Sequence, residues 1–304
     1  MKIVRDVKNP CGFKNPVIAL GNFDGIHIGH QALIRKTVDM AKSIDGTAVL
    51  FTFYPHPLKV IRQTSTPFII QRFKEKVLIA EKLGIDVVAC ARFTKNFANM
   101  NPKTFIEDIL IKGFSAKGIC VGHDYTFGEG AKGGIKTLRE YSNTFGFELV
   151  VIPPIKLHGT IVSSTKIREF LQKGNIREAN EFLGRAYSIS GVVKKGDGRG
   201  TSLGFPTANI YPKNEIMLQD GVYAAYVYVD DKKFKAGVNV GYNPTFKGKN
   251  KHIEAFLIDF ERDIYGKRIR IEFIEFIRDE KKFRRISDLI EQIKKDITNI
   301  KSIL

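Results

Sequence analysis

Between Leu183 and Tyr187 the sequence changes its period, and that change limits the chain to a two-part fold. Before it, short apolar runs at 17–20, 47–53, 87–91, 119–121 and 147–152 alternate with amphipathic stretches at 30–41, 71–83, 102–111 and 134–145. Strands alternating with helices predict a parallel sheet with crossover helices. Asn101 before Pro102 is a good helix start, with Asn as cap and Pro in the first turn. After it, runs at 188–194, 222–230, 234–240, 253–260 and 267–277 read as consecutive strands. Arg268-Ile269-Arg270-Ile271-Glu272-Phe273 alternates with period two, one face buried and one wet. A meander or small antiparallel barrel is expected there. Ile286, Leu289, Ile290, Ile293 and Ile297 then repeat at helical spacing, predicting a C-terminal helix on the barrel. The expected domains are 1–184 and 185–304.

A run beginning at Gly21 carries the first chemical signal: Gly21-Asn22-Phe23-Asp24-Gly25-Ile26-His27-Ile28-Gly29-His30. It follows the apolar Val17–Leu20 segment and opens a helical pattern. Backbone N–H groups and the dipole at a helix start favour anions, and glycines admit a ligand close to the backbone. His27 and His30 can hydrogen-bond a phosphate whose charge is changing. Three further segments follow predicted strands: Thr52 to Pro57, Gly122 to Gly128, and Val162-Ser163-Ser164-Thr165-Lys166-Ile167-Arg168. Ligands of open parallel sheets sit beyond the carboxyl ends of the strands, so all four segments can converge. Ser164 alone reads as a plain N-cap; with Arg168 the set reads as a phosphate site. Asp24 reads as a brace for the turn, His123 as structural, and His56 equally as ligand contact or rigid loop.

The second half has its own glycine run, Gly196-Asp197-Gly198-Arg199-Gly200, followed by Gly204-Phe205-Pro206-Thr207-Ala208-Asn209-Ile210. Successive N–H groups can form an anion nest, although no Gly-Lys-Ser/Thr closes a usual P-loop. Thr207 and Asn209 lie two apart and share a face in an extended segment. They offer hard oxygens suited to Mg²⁺ beside phosphates. Glu254 lies among apolar neighbours on both faces of its strand. It reads equally as a solvent-facing residue or as a base for a hydroxyl.

Composition narrows the partners. The net charge is +17, with 26 Lys and Arg against 16 Asp and Glu through Leu183, and 23 against 16 after it. The excess is spread rather than gathered into an arm, so no nucleic-acid partner is expected. No apolar run approaches the ~20 residues that span a bilayer, and the first residues lack a signal-peptide core. Cys11, Cys90 and Cys120 form no CxxC pair. A cytoplasmic protein with reduced thiols, no membrane partner and no structural zinc is expected. Nothing in the pattern fixes an oligomeric state.

Gly-x-Phe-Asp-Gly-x-His-x-Gly-His and Ser-Ser-Thr-x-Ile-Arg, in this order, resemble the FMN adenylyltransferase module of bacterial FAD synthetases. Gly-Phe-Pro-Thr-Ala-Asn-Ile, Gly221-Val222-Tyr223-Ala224 and Asn243-Pro244-Thr245-Phe246 resemble riboflavin kinase, as does the spacing from Glu254 to Asp263-Ile264-Tyr265-Gly266. The resemblance spans nearly the whole chain. It implies a Rossmann-like α/β nucleotidylyltransferase domain followed by a small antiparallel β-barrel with a C-terminal helix. It implies riboflavin, FMN, FAD and ATP as substrates and products, with Mg²⁺ as cofactor. Gly21, Phe23, Gly29, Ser163, Ser164, Thr165 and Arg168 would then hold nucleotide phosphates around His27 and His30. Asp124 and Phe127 would line the flavin and adenine side. In the barrel, Gly196, Gly198, Arg199 and Gly200 would cradle ATP, Thr207 and Asn209 would hold the metal, and Glu254 would be the base. One departure stands out: the family usually carries a second Arg after Arg199-Gly200, where this chain has Thr201. That departure keeps a second reading open, an adenylyltransferase whose barrel only binds flavin or has lost kinase activity. A basic RNA-binding protein or flavin-responsive regulator is a third.

Overall fold

The structure, a computed structural model, describes residues 1–10, 12–61, 69–196, 198–212, 217–242 and 251–304, with backbone alone at Arg199 and Thr201. Cys11, Asp197, the Asn243-Pro244-Thr245-Phe246 run and the side chains of Arg199 and Thr201 lie outside the described residues. Contacts divide the chain into two compact units, Met1–Ser164 and Thr165–Leu304.

The first unit is built on one parallel sheet. Its strands are β1 (Lys2–Val4), β2 (Val17–Leu20), β3 (Ala48–Tyr54), β4 (Val87–Arg92), β5 (Gly118–Gly122) and β6 (Glu148–Ile152). They lie in the order β1-β4-β3-β2-β5-β6. Ile18 and Leu20 join one core with Phe105, Ile106 and Ile109. Val17 and Ala19 join another with Leu33, Ile34 and Val38. A strand buried on both faces needs an unbroken apolar run, which is what 17–20 supplies. Strand order reverses at β2, whose neighbours are β3 and β5, so the crevice for a ligand opens beyond Leu20. Asn101 caps its helix as expected, accepting from the Lys103 N–H at 2.9 Å. Beyond Thr104 that helix widens into a π-helical stretch, Phe105–Gly113. A short hairpin, β7 (Lys156–Leu157) and β8 (Thr160–Ile161), leads to the unit's last residue.

In the second unit, β9 (Tyr187–Lys194), β10 (Ala208–Ile210), β11 (Gly221–Val229), β12 (Lys232–Tyr242), β13 (Lys251–Leu257) and β14 (Arg268–Arg278) close a barrel. The order is β10-β13-β12-β11-β14-β9, antiparallel throughout. Ile189, Tyr223, Val238, Ile253, Ile271 and Phe273 are fully buried. The β13 strand stops short of the expected 253–260 span. Asp259 takes φ +56°, which extended backbone cannot hold. Two helices, Ser164–Gln172 and Ile176–Leu183, precede the barrel. Asn180 ties the second to it, donating to the Phe273 carbonyl at 2.9 Å and accepting from the Tyr187 N–H at 2.6 Å.

The C-terminal helix Ile286–Ile303 covers the outer face of the barrel through Ile297, Ile300 and Ile303, against Ala224, Phe256 and Ile258. A nearly buried ion pair fixes its register. The Arg278 guanidinium donates twice to Asp296 Oδ2, at 3.0 and 2.8 Å, and Gln292 donates to Oδ1 at 2.8 Å. Asp296→Ala would leave that guanidinium unpaired, so a loss of about 3 kcal/mol of stability is expected, the low end for a broken buried pair. Urea unfolding of the full chain checks it; a loss under about 0.5 kcal/mol would refute the assignment.

Candidate functional site

The turn after β2 is strained and held from several sides. Phe23 (φ +49°) and Ile26 (φ +34°) both adopt left-handed backbone while fully buried. Such residues cost about 1–3 kcal/mol each and persist only where surrounding structure fixes them. The buried Asp24 carboxylate supplies part of that hold. It accepts from the Ile70 N–H at 3.1 Å and the Gln71 N–H at 3.3 Å. Ser164 Oγ donates to the Asp24 carbonyl at 2.8 Å, tying the Ser-Ser-Thr segment to the turn. Asp24 is thus a brace, as the sequence suggested.

The helix Ile28–Ser43 begins two residues earlier than the expected 30–41 span, and His27 is its N-cap. His27 Nδ1 accepts from the His30 N–H at 3.2 Å. The two imidazoles stack with centroids 3.6 Å apart, and the Phe23 ring lies 5.2 Å from His30. Gly29 sits against them: a Cβ there would stand 3.2 Å from the His27 ring. Gly21 closes the strand, donating to the Phe51 carbonyl at 3.2 Å. Gly21, Phe23, His27, Gly29, His30 and Ser164 are therefore gathered at the carboxyl end of β2, with half-buried Ser163 beside Ser164. Thr165 and Arg168 follow on the helix Ser164–Gln172 within the second unit, Arg168 one turn beyond Ser164. Lys166 pairs with Glu169 at 2.9 Å.

The flanking segments divide. His56 is buried and caps a local turn, its Nδ1 accepting from the Leu58 N–H at 3.2 Å. Asp124 is exposed, 4.0 Å from His123. Phe127 is turned into the core, 5.3 Å from Phe105 and stacked on Tyr125.

The barrel carries a separate polar face. In β13, Ile253, Ala255 and Leu257 point inward, leaving His252, Glu254 and Phe256 outside. Glu254 pairs across the ladder with Asn209 on β10 and Asn239 on β12, so the three share one face. The glycine run folds onto that face. Phe205 packs edge-on against Phe256 at 5.7 Å. Gly196 lies so close to Asn209 that a Cβ would come within 2.2 Å of its amide nitrogen. Gly200 likewise backs onto Phe205 and Thr207. Gly198 takes φ +73°, and Arg199–Ser202 forms a short helical turn. Lys194 reaches over the Tyr211 ring. The hydroxyl of Thr207 and the amide of Asn209 are hard oxygen donors beside a backbone cradle, so the residues fit Mg²⁺ held jointly with phosphates.

Two groups were missed in the sequence reading. Lys76 lies buried beneath the first turn, and His252 lies 3.1 Å from Glu254. The Glu254 carboxylate raises the His252 imidazole above its ordinary range, against the opposing effect of burial. A raised folded-state value means this pair stabilises fully below the unfolded value of about 6.5 and loses its contribution as pH climbs through the folded one. The melting temperature of the parent chain should therefore exceed that of His252→Gln at about pH 6, with the difference closing as pH rises. A difference that widened with pH would refute the pairing.

A glycine-rich turn with two histidines at the switch point of a parallel sheet, followed by a closed barrel carrying hydroxyl, amide and carboxylate groups on one face, is an arrangement suited to a two-domain transferase. The FAD synthetase family profile matches residues 12–166 and the riboflavin kinase profile matches 183–304. The chain belongs to the family of bifunctional riboflavin kinase/FMN adenylyltransferases, and is an ATP-using enzyme with one domain of each kind. A protein of that name from Buchnera aphidicola (strain APS) is 36% identical, over 98% of this chain and 96% of its own length. Another from Bacillus subtilis (strain 168) is 37% identical, over 92% and 90%. A solved structure named Macrolide-efflux Protein, from Streptococcus pneumoniae, superposes with a TM-score of 0.90 at 32% identity, covering 98% of each chain. Among the described residues of this chain, no helix is long and apolar enough to cross a membrane.

Proposed function

We propose that the two reactions run in sequence on separate residue sets, kinase chemistry in 185–304 and adenylyl transfer in 1–184. In the barrel, the Glu254 carboxylate takes the proton of the terminal ribityl hydroxyl of riboflavin. The freed oxygen attacks the γ-phosphorus of ATP, giving FMN and ADP. Gly196, Gly198, Arg199 and Gly200 cradle the ATP phosphates. Thr207 and Asn209 hold Mg²⁺, which neutralises phosphate charge when bound. The observation that carries this reading is the register placing Asn209 directly opposite Glu254.

In the first domain, a phosphate oxygen of FMN attacks the α-phosphorus of a second ATP and pyrophosphate leaves. No covalent enzyme intermediate is involved. Gly21, Phe23 and Gly29 shape the turn, while Ser163, Ser164, Thr165 and Arg168 hold the outer phosphates. His27 and His30 stabilise charge on the transferring group, so catalysis is by positioning and electrostatics. Asp124 flanks the flavin and adenine, with Phe127 anchoring its loop. The protein works in the cytoplasm.

Labelled ATP tests the two reactions and their order. Starting from riboflavin, γ-labelled ATP should mark both FMN and FAD, and α-labelled ATP should mark FAD alone. Label from α-ATP in FMN, or none in FAD, would overturn the scheme.

A further inference from the structure

Lys76, on the helix Phe73–Lys82, is 5% exposed and lies under the phosphate turn. Its Nζ donates to the Asn22 carbonyl at 2.6 Å and to Thr52 Oγ1 at 3.3 Å. Thr52 Oγ1 itself donates to the same Asn22 carbonyl at 3.0 Å. Two donors, one of them charged, therefore converge on one carbonyl oxygen of the turn. Among the described residues the single cis peptide is Tyr54-Pro55, so the Asn22–Phe23 peptide is trans. In a trans peptide the C=O and the following N–H point in opposite directions. With its carbonyl drawn inward, this peptide presents the Phe23 N–H on the other side. A charged donor on the carbonyl also polarises the peptide and strengthens that N–H as a donor.

We infer that Lys76 is a positioning residue for adenylyl transfer: it holds the Asn22 carbonyl beneath the turn and thereby aims the Phe23 N–H at the phosphate. This rests on the adenylyltransferase reading proposed for the first domain. The left-handed backbone at Phe23 fits the same picture, since a strained peptide needs an external anchor.

The charge of Lys76 is poised to titrate. Burial lowers the Lys76 pKa to about 8, opposed by Asp24 from the turn and by Cys90 from β4. Burial pushes the Cys90 thiol up, and the Asp24 carboxylate is engaged by the Ile70 and Gln71 N–H groups. Below about pH 8 the ammonium is charged; above it a neutral amine keeps its hydrogen bonds and loses the polarising charge.

The test uses the full chain. Initial rates of FAD formation from supplied FMN and ATP are followed from about pH 6.5 to about 9.5. Riboflavin phosphorylation is measured alongside as an internal control. Parent enzyme should lose adenylyl transfer above about pH 8. Lys76→Met should be slower by about 30-fold in kcat/KM, the effect of one charged hydrogen bond, should lack that alkaline decline, and should keep its kinase rate. Lys76→Arg retains charge throughout and should recover much of the rate while losing the decline. A Lys76→Met rate within about twofold of parent, with the decline intact, would overturn the inference. If Lys76→Met fails to fold, a decline near pH 8 that persists in Lys76→Arg would overturn it. Parent enzyme that made no FAD at all would instead remove the adenylyltransferase reading.

Discussion

Glu254→Ala is expected to abolish FMN formation from riboflavin while leaving FAD formation from supplied FMN unchanged. A positioned general base contributes about 10²–10⁴-fold, so the kinase rate should fall by at least two orders of magnitude. Structure favours this over a merely solvated glutamate. The side chain is 35% exposed, shares its face with Asn209 and Asn239, and is engaged by His252. Reach to solvent leaves room for a substrate hydroxyl, and the paired His252 limits the rotamers. Glu254→Gln should behave like the alanine variant, because it keeps the shape and removes the basicity. Kinase activity within about tenfold of parent would make Glu254 a structural residue.

Loss of His30 should produce the opposite pattern: riboflavin is still phosphorylated, FMN accumulates, and FAD does not form. Removing one group that stabilises transition-state charge typically costs about 10²–10³-fold. His30→Ala should show that loss in kcat with little effect on folding, because the His30 interaction that caps the helix comes from its backbone N–H. His27→Ala should combine a similar rate loss with about 1 kcal/mol of destabilisation, since its side chain is the N-cap. The two variants thus separate catalysis from capping. FAD formation within about threefold of parent in both would remove the histidines from the mechanism, and equal loss of both activities would indicate unfolding.

The sheet was readable because β2 is buried on both faces and therefore spells a continuous apolar run. The barrel was readable because β14 buries one face and alternates. β1 and β10 were not, for a shared reason: three residues are too few to show a period. β10 was further hidden inside a run that reads as a glycine loop, yet it closes the barrel and sets Asn209 opposite Glu254. At the site, residues adjacent in sequence were legible, as with His27 and His30 around one helix start. Phe127 was expected beside the flavin; its ring lies in the core, because it packs on Phe105, a neighbour distant in sequence that a motif cannot display. Lys76 escaped notice for the converse reason. A lysine beside Lys74 and Glu75 in an amphipathic helix reads as surface, and only the fold brings it under Asn22, far away in sequence. His252 stands two residues from Glu254 in the sequence, but the expected strand began at 253; only because β13 starts at Lys251 do the two share one face.

One chain performs both steps, and separation of the flavins is the test. Purified protein is incubated with riboflavin, excess ATP and Mg²⁺, with a parallel tube starting from FMN, and products are resolved by chromatography. FMN followed by FAD from riboflavin, and FAD from FMN, is the predicted result. FAD from FMN alone would contradict the kinase assignment and direct attention to Thr201; no product in either tube would contradict the account of both sites.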